Sequence, residues 1–308
     1  MMKSPSLLQQ GRNRAAEAAL RRLASLPFQL RRRGLRLFFD AMAAPLVGRP
    51  APALVSACAA TLAFTRRESE RFLYRSLLYD ALFQMEWLAL AYRSKAGLVA
   101  DARFIESDAH DELTWVAEQP GALIGTMHFG PYSLGLVWLL HRFFQGRRIV
   151  VVKSVTNDVE EQRAISRLNE LGTEVEFIAP DRAQDFHQLV KKIRGGAVGI
   201  IMVDLPPAYG RSSSVELLGH RAGFATGVVD LAMLCGVPLM LFRVCSTITT
   251  DRVEVSDILD VARTAAARER AVDRIGRFIG SSLLDHPDHW HMWSRFGEYA
   301  VPLEPSAA

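Results

Sequence analysis

The chain has 308 residues, of which 49% are hydrophobic and 23% are charged, and its formal net charge is +4. This length and balance exclude a disordered protein and allow one large domain or two modest ones with an ample core. Three cysteines without CxxC spacing, Cys58, Cys235 and Cys245, exclude a disulfide framework. We expect them to be reduced, buried side chains of a cytosolic protein.

The positive charge is concentrated in the segment before Asp40, where Glu17 is the only acidic residue. Leucine and phenylalanine residues lie between the basic ones, a pattern typical of a segment that rests on an anionic membrane surface. A frayed basic arm, a solvated helix face and a mitochondrial-type presequence are alternative interpretations. The basic residues are Lys3, Arg12, Arg14, Arg21, Arg22, Arg31, Arg32, Arg33 and Arg36.

The sequence predicts two regions. Residues 1–50 form the basic amphipathic segment, a membrane-surface helix, and the stretch GRPAP at 48–52 marks a break. Residues 51–308 form one domain that starts with a helix over 66–94, a stretch with helical spacing and without Gly or Pro.

From residue 121 onward, short apolar runs alternate with helical stretches. This alternation predicts an α/β fold with a mainly parallel sheet flanked by helices, preceded by the helical N-terminal extension. The predicted strands are ALIGTM, RIVVVK, EVEFIA, AVGIIMV and VPLMLFRV, with DRVEVSDIL as an edge strand. The predicted helices cover 131–145, 158–171, 184–194, 225–235 and 261–284, and a long loop covers 204–224.

One stretch, residues 222–242, is apolar enough to suggest a membrane span. Asp230 lies in its middle and Gly236-Val237-Pro238 interrupts it. A buried helix, a turn and a buried strand explain this pattern better, so we expect any membrane contact to be peripheral.

Active sites of open α/β sheets lie beyond the carboxyl ends of the strands. Three stretches have that position: 128–133, 153–158 and 204–219. In the first, HFGPYS, His128 follows a strand, Gly130 permits a sharp turn and Pro131 suits a helix start. A histidine at such a corner can serve as a base beside helix N-terminal N–H groups, although a structural histidine is the alternative.

Four stretches of the chain resemble one family in consistent order over residues 60–296. HFGPYS is similar to the HX4D/E motif of lysophospholipid and lipid A acyltransferases, and KSVTNDVEEQRAISRLNELG resembles their Asn-led turn and arginine-bearing helix. Residues 187–242 resemble the block that runs from a basic helix through Asp, Tyr-Gly-Arg-Ser and Gly-Val-Pro. HPDHWHMWSRF is similar to the closing Trp-rich segment. The family is the late-acyltransferase group of lipid A biosynthesis.

The resemblance implies a glycerolipid-acyltransferase-like fold and transfer of a fatty acyl group from an acyl-carrier-protein or CoA thioester. The acceptor would be a hydroxyl, or an amine, of a lipid, glycolipid or biosynthetic intermediate. It also implies a peripheral enzyme at the cytoplasmic face of the bacterial inner membrane, without a cofactor beyond the acyl donor. No recognition motif indicates a nucleic-acid partner.

The sequence departs from the family motif at Ser133, where the motif has the acid that orients the histidine. A serine hydroxyl can accept the ring N–H bond but carries no charge. Three explanations remain open: Asp204 or Glu216 supplies the acid, an amine acceptor or a more reactive donor needs less base catalysis, or catalysis is lost. In the third case the chain is an acyl- or carrier-protein-binding module with the same fold.

The resemblance also suggests a set of binding residues around His128. Arg167, or Arg163 one turn earlier, would clamp a phosphate, although each could instead be a solvated helix residue paired with Glu160 or Glu170. Lys153 would meet an anionic headgroup. The remaining substrate-binding candidates are Gly130, Arg211 and Gly219, and a basic patch of Lys191, Lys192 and Arg194 would dock acyl carrier protein.

The HPDHWH stretch contains three histidines, His286, His289 and His291. Neither an HExxH pairing nor a cysteine supports a zinc site, so we predict no metal. Trp290, Trp293 and Arg295 are instead expected to pack beside the catalytic histidine.

Overall fold

A seven-stranded sheet with helices on both faces forms the centre of the protein. The computed structural model describes residues 18–43, 61–153, 159–180 and 182–299. The predicted break at GRPAP, Cys58 and most of the stretch 153–158 lie outside the described residues.

The described helices and strands alternate as the sequence predicts. The helices are α1 (Phe28–Ala43), α2 (Arg66–Tyr92), α3 (Lys95–Asp101), α4 (His110–Glu118), α5 (Tyr132–Phe143), α6 (Val159–Glu170), α7 (Ala183–Arg194), α8 (Gly227–Cys235) and α9 (Ala265–Asp285). The strands are β1 (Ile105–Glu106), β2 (Ala122–Thr126), β3 (Arg148–Val152), β4 (Glu174–Ile178), β5 (Val198–Met202), β6 (Ser212–Leu217), β7 (His220–Ala225), β8 (Leu239–Ser246) and β9 (Asp251–Leu259).

The main sheet has the order β1-β9-β8-β2-β5-β3-β4. Strands β8, β2, β5, β3 and β4 run parallel, and β9 is antiparallel to β8. The predicted α/β class with a mainly parallel sheet is therefore confirmed. Strand β9 is the predicted edge strand, although the two-residue β1 pairs with its first residues, Asp251 and Arg252.

The predicted long loop over 204–224 is wrong, because most of it forms the antiparallel hairpin β6–β7. Leu218 and Gly219 occupy its two-residue turn with φ of 52° and 77°. Positive φ at both central residues is the geometry of a tight hairpin turn. The hairpin packs on α9, where a Cβ added at Gly276 would lie 2.9 Å from Val215.

Helix α1 is attached to the domain by fully buried charges. Arg32 binds Asp251 through two hydrogen bonds of 2.5 and 2.7 Å and Glu86 through one of 2.7 Å. Arg31 binds Glu86 and Asp101, each at 2.5 Å. Arg31 and Arg32 therefore do not face a membrane surface, because buried carboxylates of α2, α3 and β9 bind them.

None of the described helices combines the length and the apolar content needed to cross a bilayer. The stretch 222–242 divides into the end of β7, helix α8 and the start of β8. The helix, the turn and the second strand were predicted, whereas the end of β7 was not. Gly236 ends α8 in the left-handed conformation, with φ of 68°, the usual helix stop at this position. Cys235 and Cys245 are free thiols.

Candidate active site

The pairing of β2 with β5 brings His128 and Asp204 together. The two parallel strands pair in register from Ala122↔Val198 to Thr126↔Met202. Continuing that register by two residues places His128 opposite Asp204 at the carboxyl edge of the sheet. Two polar side chains that are 76 positions apart in the sequence are therefore neighbours.

The Asp204 carboxylate is fully buried and receives three N–H groups. Its Oδ1 lies 2.9 Å from Nδ1 of the His128 ring. Its Oδ2 accepts from the His128 backbone N–H at 2.9 Å and from Nε1–H of Trp290 at 2.9 Å. The Tyr299 hydroxyl donates to the Asp204 backbone carbonyl at 2.6 Å. These contacts hold the carboxylate and the imidazole in one orientation.

The contact with Asp204 determines the state of the His128 ring. A carboxylate only accepts hydrogen bonds, so Nδ1 carries a hydrogen, and in the neutral ring Nε2 therefore keeps its lone pair. Burial alone would lower the pKa of His128, but the charge and hydrogen bond of Asp204 outweigh it, and the pKa is raised. The His128 side chain is 28% exposed whereas that of Asp204 is inaccessible. The imidazole is therefore the part of the pair that a substrate can reach.

The corner after His128 depends on Gly130. This residue has φ of 59°, and a Cβ there would lie 2.5 Å from the backbone oxygen of Val244. Its N–H donates to the backbone carbonyl of His289 at 2.8 Å. Gly130 therefore shapes the corner, and its N–H is already engaged within the protein.

The closing segment 289–291 clamps the same corner. Phe129 and Trp290 form an antiparallel bridge, and the His291 N–H donates to the His128 carbonyl at 2.9 Å. The ring of His291 lies between an Asp80 carboxylate oxygen and the Gly130 carbonyl. The predicted proximity of the Trp-rich segment to the histidine is thus observed at Trp290.

Ser133 does not take the place of the motif acid. It is fully buried near the start of α5, and its Oγ has no hydrogen-bond partner among the described residues. The ring nitrogen that it could have bound faces Asp204 instead. The Ser133 hydroxyl therefore forms no hydrogen bond with the His128 ring in this structure.

The candidates in and beside the hairpin form no hydrogen bond with the imidazole among the described residues. Glu216 is exposed on β6 opposite Arg221, and among the described residues it makes no hydrogen bond to His128. Arg211 is exposed and binds Asp230 at 3.2 Å. Gly219 serves the hairpin turn. Of the two acids considered from the sequence, only Asp204 contacts the ring.

The cationic candidates on α6 and just after β3 have protein partners. Lys153 pairs with Glu161, and Arg167 pairs with Glu170 on its own helix. Arg163 donates to the Tyr92 hydroxyl at 3.1 Å. Arg163 and Arg167 line a shallow cleft beside the end of α2. The alternative interpretation of Arg167 as a helix residue paired with Glu170 matches this geometry.

The basic patch of Lys191, Lys192 and Arg194 ends α7. The helix after one parallel strand returns to the amino edge of the sheet, so this patch lies at the edge opposite His128. Lys192 pairs with Glu176, and Arg194 donates to the Leu234 carbonyl. This placement does not favour the prediction that the patch docks acyl carrier protein, because the acyl donor must reach the imidazole at the opposite edge.

One cluster of possible metal ligands occurs among the described residues. His286, Asp288 and His289 each offer one atom within 4.8 Å of the others, and His291 is not part of the group. Asp288 is bound to Arg75, and both ring nitrogens of His289 face protein groups. These contacts engage the atoms that Asp288 and His289 would offer to a cation.

The sequence did not indicate the hydrogen bond that Tyr299 makes to Asp204, nor the two partners of Arg295. Tyr299 lies beyond the family-like closing segment, so no motif indicated its bond to Asp204. Arg295 binds Glu298 at 2.6 Å and the Tyr209 hydroxyl at 3.1 Å. Its charge opposes protonation of His128, which is consistent with the predicted location beside the site.

The sequence model of a family described as bacterial lipid A biosynthesis acyltransferase matches residues 66–296. No curated protein matches the chain. The matched range contains every residue of the His128 site except Tyr299.

Proposed function

The chain belongs to the bacterial lipid A biosynthesis acyltransferase family, and on that premise we propose that His128 and Asp204 form its catalytic pair. The family implies an enzyme that transfers an acyl group from a donor to a lipid A precursor. The contact between the His128 ring and the buried Asp204 carboxylate supports this role most strongly. In this proposal Asp204 supplies the negative charge that is missing at Ser133, where the family motif has an acid.

In the proposed mechanism His128 acts as the general base through Nε2. An alcohol is a weak nucleophile at neutral pH, so Nε2 removes its proton as the oxygen attacks the thioester carbonyl. The C–O bond forms, the C–S bond then breaks, and the imidazolium returns the proton to the departing thiolate. Asp204 stabilises the imidazolium and keeps Nδ1 protonated throughout.

The donor in this proposal is an acyl-carrier-protein or CoA thioester, and the acceptor is a hydroxyl of the lipid A precursor. An amine acceptor remains compatible with the same base. The reaction takes place at the membrane surface that holds the lipid acceptor, because the acceptor is insoluble in water.

Product analysis by mass spectrometry tests the proposal. The purified chain is supplied with acyl-CoA or acyl carrier protein and a detergent-dispersed lipid A precursor. We expect a product heavier by one acyl group, together with release of one thiol. His128→Ala should abolish both, whereas His220→Ala, which changes an exposed histidine on β7, should leave them unchanged.

Two outcomes would contradict the proposal. Equal turnover by His128→Ala and the unmodified chain would exclude the imidazole as the base. Binding of acyl carrier protein without any acyl transfer by the unmodified chain would instead support a binding module.

A further inference from the structure

Helix α1 exposes a row of large apolar side chains. Leu30, Leu37 and Phe38 are 57%, 70% and 59% exposed, and Leu26 just before the helix is 40% exposed. Residues seven and eight positions apart lie on one side of a helix. We call Leu30, Arg33, Leu37 and Phe38 the α1 outward face. Contiguous exposed apolar side chains are typical of a surface that contacts a membrane or another protein.

The opposite side of α1 is rigidly held. Arg31 and Arg32 are inaccessible to solvent and bind Glu86, Asp101 and Asp251. The α1 outward face is therefore a fixed surface of the folded domain, with a defined orientation relative to the sheet.

The attachment of α1 lies at the edge of the sheet that carries the active site. Arg32 donates to the Thr247 carbonyl at 2.8 Å and Gln29 donates to the Thr249 carbonyl at 2.7 Å. Both carbonyls follow β8, whose carboxyl end shares its edge with those of β2 and β5. Ser246, the last residue of β8, also contacts His289, which binds Gly130 at the catalytic corner.

The charges around this face favour an anionic partner. Arg22 and Arg33 are exposed and form no ion pair among the described residues. The only acidic residue in the range 18–43 is Asp40, which pairs with Arg36. A second copy docked through the same face would bring two such cationic surfaces together, which disfavours a symmetric dimer.

We propose that the α1 outward face docks on an anionic lipid bilayer and holds the active-site edge toward it. Leu30, Leu37 and Phe38 enter the boundary between headgroups and acyl chains, and Arg33 meets lipid phosphates. Because a helix is about 10 Å across, the attached edge lies about that far from the headgroups. The docking proposal depends only on the residues of α1, whereas the benefit of docking to catalysis depends on the proposed function.

Vesicle sedimentation with the full chain tests the docking. The probes are vesicles of phosphatidylglycerol and phosphatidylethanolamine, with phosphatidylcholine vesicles as the uncharged comparison. We expect Leu37→Gln/Phe38→Gln to weaken binding to anionic vesicles about tenfold or more, since two large apolar side chains are lost from the interface. Leu284→Gln, which changes a residue 66% exposed on α9, should bind like the unmodified chain.

The outcomes separate the alternatives. Unchanged vesicle binding by the double variant, with an unchanged thermal midpoint, would overturn the proposal. A dimer of the unmodified chain that becomes monomeric in the double variant, again without a change in vesicle binding, would identify a protein interface instead.

An activity assay separates this proposal from the catalytic one. The double variant should transfer acyl groups to a detergent-dispersed acceptor at the normal rate and lose transfer to a vesicle-embedded acceptor. Equal loss with both acceptors would contradict a docking role. Absence of transfer by the unmodified chain would contradict the proposed function while leaving the vesicle result valid.

Discussion

Replacing Arg32 by methionine tests whether α1 is an integral part of the domain. Arg32 is inaccessible to solvent and makes three hydrogen bonds to the carboxylates of Asp251 and Glu86. Methionine fills much of the same space but leaves the Asp251 carboxylate buried without its bidentate partner.

The size of the effect follows from burial. Breaking one partner of a buried ion pair costs about 3 to 5 kcal/mol, because the remaining charge stays desolvated. Arg36 provides the matched control on the same helix, since its pair with Asp40 is 42% and 47% exposed. Arg36→Met should cost much less, because an ion pair that stays in contact with water contributes little to stability.

The assay is urea unfolding followed by circular dichroism for the unmodified chain and both variants. A further variant, Arg32→Met/Asp251→Asn, should recover part of the loss because the stranded carboxylate becomes neutral. A loss for Arg32→Met no larger than that for Arg36→Met would refute the argument that these buried charges hold α1 in place.

Three further predictions concern the corner at His128. Asp204→Asn removes the charge that raises the pKa of His128. The acid limb of the kcat/KM profile, where activity is lost as the imidazole protonates, should therefore shift to lower pH. The rate should also fall about 10³ to 10⁴-fold. An acid limb at an unchanged pH would contradict the pairing of His128 with Asp204. Gly130→Ala should cost about 1 to 3 kcal/mol in thermal unfolding, because its Cβ would meet the Val244 carbonyl at a positive φ; an unchanged midpoint would exclude that strain. Ser133→Ala should keep turnover and change stability by less than about 1 kcal/mol, since the lost hydroxyl has no partner among the described residues; a large loss of turnover would show that the hydroxyl does participate.

Several local features could be predicted because each depends on neighbouring residues. The apolar runs and helical spacings correctly predicted the strands β2 to β5 and β8, and the stop at Gly236. The hairpin β6–β7 was missed because β6 begins with three serines and β7 with His-Arg rather than with an apolar run. In addition, Leu218 carries the positive φ that sequence patterns assign to Gly or Asn.

From the sequence, the acid that pairs with His128 could be narrowed to Asp204 or Glu216, but nothing in the sequence decided between these two residues. Both follow the same strand β5, and nothing local distinguishes their distance from a histidine far earlier in the chain. The choice depends on the register of β2 with β5, which carries Asp204 to His128 and leaves Glu216 on the exposed hairpin.

The sequence by itself determined the alternation of strands and helices, the family and the histidine at a strand end, because these are properties of contiguous residues. Only the tertiary structure decided which acid reaches His128 and where the arginines of α1 point. A row of arginine and leucine looks the same whether the guanidinium groups meet lipid phosphates or buried carboxylates. Arg31 and Arg32 found their partners 54 to 219 positions away in the chain, and only folding brings such distant groups together.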